Sequence, residues 1–162
     1  MARIVLTDAS PLIGLGHVDG LDWLQALFGE VWMPEEVHAE VTGDRGFAGE
    51  GDILGAVAAG WLRIAAPAPT EPVLPDLDEG EAACIRIALA ARTPALLLMD
   101  ERAGRAIAAE HGLQVAGTAA VIGMAKTRGL IVSAREVFAQ LHASDFRISA
   151  EVIRTVLQRV GE

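Results

Sequence analysis

The sequence predicts an α/β fold, a three-layer α/β/α sandwich around a mostly parallel central sheet, and three observations point to it. Short apolar runs of strand length alternate with segments of helical period, the pattern of strands joined by crossover helices. Ala95-Leu96-Leu97-Leu98-Met99 is continuously apolar, as a parallel strand buried on both faces should be. Alanine and leucine abound, Tyr is absent and aromatics make up only 4%, which favours close helix packing over a β-sandwich. At 162 residues the whole chain, 1–162, is expected to form one domain with its own core, the C-terminal helices at about 133–160 included.

The chain opens on Ile4-Val5-Leu6-Thr7, a buried strand that runs into Asp8. Ser10-Pro11 suits a helix start, Ser as N-cap and Pro at the first helical position. A helix is therefore expected from Ser10 to Val18 and a second from Gly20 to Phe28. Gly14, Gly16 and Gly20 do not make a dinucleotide fingerprint: the third glycine is misplaced, and the acid precedes the glycines instead of following them. Val31-Trp32-Met33 is a short strand stopped by Pro34, and Glu35 to Thr42 a helix with acids in its first turn. Glu36 and Glu40 share one face of it, either as solvated surface or with one of them directed at Asp8.

Residues 43–51 are expected to form a mobile loop, 52–59 a small helix and Trp61 to Ile64 a short edge strand. Four of the seven prolines then fall between Ala65 and Pro75, which excludes helix or central strand and predicts an extended connection. Asp76 to Glu81 leads into a helix over Ala82 to Ala91. Asp78 and Glu79 suit a helix N-terminus as dipole partners, whereas Glu81 lies beside the packed apolar stripe. Cys84 reads as a core residue, and as the lone cysteine it excludes an internal disulfide. The strand Ala95–Met99 ends on Asp100 and is followed by a helix to His111. Residues 112–116 form another strand, with Thr118 as N-cap of a helix to Arg128. Ser133 to His142 and Ser149 to Val160 are amphipathic helices.

In a parallel sheet all strands end on one edge, where ligands bind in open α/β folds. That edge collects Asp8 and Asp100, with Glu40 and Glu81 supplied by helices. Crowded carboxylates repel one another unless a cation or proton compensates, and hard ions such as Mg²⁺ or Mn²⁺ suit all-oxygen donors. A net charge of −9 argues against the basic patch of an ordinary nucleic-acid binder. Carboxylates that hold metal contribute negative charge that the metal neutralises. No apolar run approaches the roughly 20 residues needed to cross a bilayer, and no signal segment is evident, so a cytoplasmic protein is expected.

Four blocks taken in order, TDASPLI, PEEVHAEV, LDEGEAACIRIALA and LLLMDERAGRAIAAEHGLQVAGT, resemble the PIN domain. More closely they resemble the branch related to VapC-type toxins of toxin–antitoxin systems, over about residues 3 to 150. The resemblance implies a ribonuclease that uses Mg²⁺ or Mn²⁺, with Asp8, Glu40, Glu81 and Asp100 as the catalytic and metal-binding acids. Ser10 matches a small polar position that supports the first acid, and Thr118, at a strand's carboxyl end, is the second supporting residue. It also implies an RNA substrate, an antitoxin partner and a homodimer.

The chain departs from the common toxin pattern in having Glu81 where many relatives have Asp. It also has Leu98-Met99-Asp100 where a Thr-x-Asp is usual. Glu101 is a spare acid, and Arg102 and Arg105 are either phosphate contacts or solvated helix arginines. The rival class is a non-catalytic PIN-like scaffold whose acidic edge binds a basic protein. A phosphatase or DNase on the same metal site is a third option, although the Asp-x-Asp phosphatase signature is absent after the first strand.

Overall fold

The computed structural model describes residues 3–43, 46 and 49–162. β1 (Ile4–Thr7) leads into α1 (Ala9–His17) and α2 (Asp22–Phe28), and β2 (Val31–Met33) into α3 (Glu35–Val41) and α4 (Glu50–Ala59). β3 (Leu62–Ile64) is followed by α5 (Glu79–Ala90), β4 (Ala95–Leu98) by α6 (Arg102–Glu110), and β5 (Gln114–Ala116) by α7 (Thr118–Thr127). Two further helices follow, α8 (Ala134–Ala143) and α9 (Ala150–Arg159).

The strands form one sheet in the order β3-β2-β1-β4-β5, and every neighbouring pair is parallel. β1→β2→β3 grows outward in one direction and β4→β5 in the other. With the right-handed crossovers that are the rule for parallel strands, this order places helices on both faces, the predicted α/β architecture. The direction of growth reverses between β1 and β4, whose register runs from Ile4↔Ala95 to Thr7↔Leu98. Such a reversal opens a crevice at the carboxyl ends of the two strands.

β4 is buried along its whole length, as its apolar run predicts, and β3 is the expected edge strand. α5 packs on β1 and β4. The buried residues of its inner face, Ala82, Ala83, Cys84, Ile85 and Ala88, are mostly small, which lets the helix axis approach the sheet. The proline-rich connection is neither helix nor strand. Leu74 and Leu77 pack it against the core, and the Arg86 guanidinium donates to the Pro72 carbonyl at 2.8 Å. Gly14 of α1 serves packing: a Cβ there would lie 2.9 Å from the Phe146 ring, so the glycine admits the segment between α8 and α9.

Several helix starts differ from the sequence reading, and three of them bear on the site. α1 begins at Ala9, because Asp8 leaves the strand in an extended conformation (ψ 174°) and itself occupies the N-cap position. Ser10 is therefore the second helical residue and not the cap. Pro11 is third, still within the first turn, where its missing N–H has no helical acceptor to lose. α7 likewise starts at Thr118, with Gly117 at the N-cap position, which frees the Thr118 hydroxyl for another partner. α5 starts three residues earlier than expected, at Glu79. Much of the loop expected over residues 43–51 lies outside the described residues, and α4 begins at Glu50.

Candidate active site

Asp8 comes directly after β1, and its N–H donates to the Leu98 carbonyl at 2.9 Å. This continues the β1–β4 ladder one step past the strand, so the sheet itself fixes where the side chain starts. Asp8 is only 5% exposed.

The second group of acids comes from the start of α5. Asp78 is its N-cap, accepting from the Glu81 N–H at 2.8 Å, while Glu81 Oε2 accepts from the Asp78 N–H at 3.3 Å. This reciprocal capping box satisfies two helix-terminal donors and holds the Glu81 carboxyl back against its own helix start. Gly80 lies between them. A Cβ there would be 3.0 Å from Asp8 Oδ1 and 3.5 Å from Asp78 Oδ1, so the two carboxylates close over this glycine. On the other side α6 approaches through Gly104, where a Cβ would lie 3.4 Å from Glu81 Cδ. Glu81 is buried despite its charge.

The electrostatics follow from this crowding. Burial raises the Asp8 carboxyl from 3.8 to about 7. Asp78, Glu81 and Glu40 add to the rise, and the Ala9 N–H partly offsets it. Glu81 is also raised, first by burial and then by Asp78, Glu101 and Glu40, against the hydrogen bond from Asp78. Burial pushes the Cys84 thiol well up, with Asp8, Asp78, Glu36 and Glu81 adding to it. A thiol so disfavoured as thiolate is an inert core residue, as expected.

Asp100 sits at the same edge of the sheet, beyond β4. Its two oxygens are both taken by Thr118: Oδ1 accepts from the backbone N–H and Oδ2 from the hydroxyl, each at 2.7 Å. Thr118 is fully buried, so this two-point grip fixes the carboxylate's plane. Gly117 keeps the approach open, since a Cβ there would lie 2.9 Å from Asp100 Oδ1.

Of the acids expected to meet, the structure brings Asp8, Glu81 and Glu40 into one field and anchors Asp100 at the same edge. Glu40 lies on an exposed position of α3, and its face-mate Glu36 bears on Cys84. Ser10 is half-buried in the first turn of α1. Asp78 is the acid that sequence reasoning passed over as a mere dipole partner. Its signal was the Asp78-x-x-Glu81 capping-box spacing, but its proximity to Asp8 depends on how α5 lies across β1.

Among the described residues, no three His, Cys, Asp or Glu side chains close on one point as a finished metal cage. The chemistry of the donors nevertheless fits a hard divalent cation: they are carboxylates that raise one another's proton affinity. Among the described residues the ion pairs lie elsewhere, at Arg63–Glu30, Lys126–Glu162 and Arg147–Asp145, and none of the described cations pairs with Asp8 or Glu81.

An open parallel α/β sheet with acids gathered at its switch point defines a class of proteins built around an acidic centre. A family model described as a PIN domain matches residues 4–162, and the chain belongs to the PIN-domain family. Proteins of this family are in general nucleases that use divalent metals. No curated protein and no solved structure matches the chain.

Proposed function

We propose that this protein is an Mg²⁺- or Mn²⁺-dependent endoribonuclease that hydrolyses RNA phosphodiester bonds as the toxin of a toxin–antitoxin pair. The observation that carries the nuclease reading is Asp8. A carboxyl held at about 7 by burial and by neighbouring acids, with no cation paired to it among the described residues, is a group built to meet a bound cation. Asp8, Glu40, Glu81 and Asp100 would hold the metal through carboxylate oxygens and water. When bound, such an ion activates a water for attack and stabilises the charge that develops on the phosphodiester.

The chain's own residues do the positioning. Thr118 fixes the plane of Asp100 through two hydrogen bonds. The capping box holds the longer arm of Glu81, which compensates for the extra methylene relative to an aspartate. The β1–β4 ladder sets Asp8. The toxin role, the antitoxin partner, the homodimer and the cytoplasmic setting rest on the resemblance of the four sequence blocks to VapC-type toxins. No described helix is long and apolar enough to cross a membrane, which agrees with that setting.

The test is cleavage of a panel of structured and single-stranded RNAs by purified, antitoxin-free protein in Mg²⁺, Mn²⁺ or EDTA, beside Asp100→Asn. Metal-dependent cleavage that the variant loses is the expected result. Absence of both cleavage and divalent-metal binding would sink the nuclease reading in favour of a non-catalytic scaffold.

A further inference from the structure

We infer that Arg105 is the substrate-phosphate clamp of this site, gripping a phosphate of the RNA beside Asp100. The inference rests on the ribonuclease reading and adds to it the group that lets an acidic edge take a polyanion. A chain with net charge −9 whose site gathers carboxylates repels phosphodiesters, and needs a local cation facing the crevice.

Arg105 is placed for that task by two features. It lies one turn into α6, the helix that follows Asp100. Its Nη1 comes within 2.9 Å of where a Gly117 Cβ would be, and Asp100 Oδ1 comes within the same distance of that point. The guanidinium thus lies over the glycine, next to the carboxylate. It is nevertheless not committed to that carboxylate. Both Asp100 oxygens are engaged by Thr118, and among the described residues the Arg105 guanidinium forms no ion pair or hydrogen bond. An exposed, planar group with five donors unspent, beside the acid that ends β4, matches the geometry of a phosphate.

Gly117 is part of the device. Its backbone is ordinary extended chain (φ −95°, ψ 179°), so alanine is allowed there conformationally. What the glycine provides is room for the guanidinium and the carboxylate to lie together. Gly117→Ala therefore crowds both the flexible arginine tip and Asp100 Oδ1, without straining the backbone.

The experiment measures kcat and KM on a single-stranded RNA from the panel, together with Kd by anisotropy for the same RNA in Ca²⁺, over a range of salt. The proteins are wild type, Arg105→Gln, Arg105→Lys, Gly117→Ala and Arg154→Gln, the last removing an equal charge from α9. Loss of one charge-assisted phosphate contact should raise KM and Kd about tenfold in Arg105→Gln, with kcat within about twofold. The slope of log Kd against log salt should fall by about one. Arg105→Lys should recover part of the affinity, Gly117→Ala should weaken binding as Arg105→Gln does and also lower kcat because it crowds Asp100, and Arg154→Gln should match wild type. The thermal midpoint of Arg105→Gln should not move. Unchanged KM, Kd and salt slope in Arg105→Gln, with an active wild type, would overturn the clamp and leave the nuclease reading intact. If wild type binds RNA without cutting it, the Kd and salt slope alone decide the clamp. If wild type neither binds nor cuts RNA in any metal, both readings fall.

Discussion

Asp8→Asn should make the metal-free protein more stable at neutral pH while abolishing metal-dependent cleavage. Folding carries the Asp8 carboxyl from 3.8 to about 7, so the native state resists its ionisation. The folded chain therefore binds more protons than the unfolded chain between those two values, and stability falls as pH rises through that window. The penalty is absent below about pH 3.8 and complete above about pH 7, where the interval corresponds to a ceiling of about 4 kcal/mol. Asparagine keeps the shape and removes the charge, and its amide can donate towards Asp78 Oδ1 across Gly80. Part of the ceiling is lost to imperfect hydrogen bonding, which leaves a gain of about 2–3 kcal/mol at pH 7.5, or roughly 5–10 °C in thermal midpoint for a chain of this size. The assay is thermal unfolding in EDTA at pH 4, 5.5 and 7.5. The gap between variant and wild type should open with pH, and added Mg²⁺ or Mn²⁺ should raise the wild-type midpoint and not that of the variant. A variant less stable than wild type at pH 7.5, or a gap independent of pH, would refute the reasoning.

Three further changes probe the supports of the site and the core. Thr118→Val keeps shape and burial but leaves Asp100 Oδ2 without its hydroxyl donor; it should cost about 1–2 kcal/mol in urea unfolding and lower kcat more than it raises KM. Asp78→Asn preserves an N-cap oxygen while removing a charge beside Asp8, so it should lower the Asp8 pKa, read by carboxyl titration in NMR. Asp78→Ala loses the cap as well and should cost about 1 kcal/mol relative to Asp78→Asn. Leu97→Ala, in the middle of the fully buried β4, should cost about 2–5 kcal/mol in denaturant unfolding and lower activity only through the folded fraction.

The parts of this site that could be read from the sequence are those written locally. An apolar run ending on an acid declares a buried parallel strand with a carboxylate at the ligand edge, and both Asp8 and Asp100 carry that signature. The spacing of Glu36 and Glu40 gave a shared helix face, of which Glu40 bears on Asp8 and Glu36 on the buried Cys84. What stayed hidden depends on chain separation. Thr118 is expected both as a helix cap and as a supporting residue of the site, but which acid it supports is not readable from the sequence. Its hydroxyl serves a carboxylate 18 residues earlier, a pairing set by β4 and β5 lying side by side. Asp78 is a cap, as its position suggested, but its proximity to Asp8 arises only once α5 packs across β1. The start of α1 was misplaced for a local reason: Ser10-Pro11 resembles a cap and first turn, yet the ladder bond from Asp8 to Leu98 draws the cap position back to Asp8.

The pairing of β1 with β4 has a consequence for how the protein is made. Ile4 faces Ala95, which a ribosome adds 91 residues later (95 − 4), and the intervening strands lie on the far side of β1. Contacts so distant along the chain form late and slowly in folding. Throughout most of synthesis β1 therefore has no neighbour on its central side, and Asp8 has neither its ladder partner nor the α5 acids around it. On the proposed ribonuclease reading, the chain carries no complete site during that time. The acidic crevice is complete only once β4 has emerged and docked beside β1.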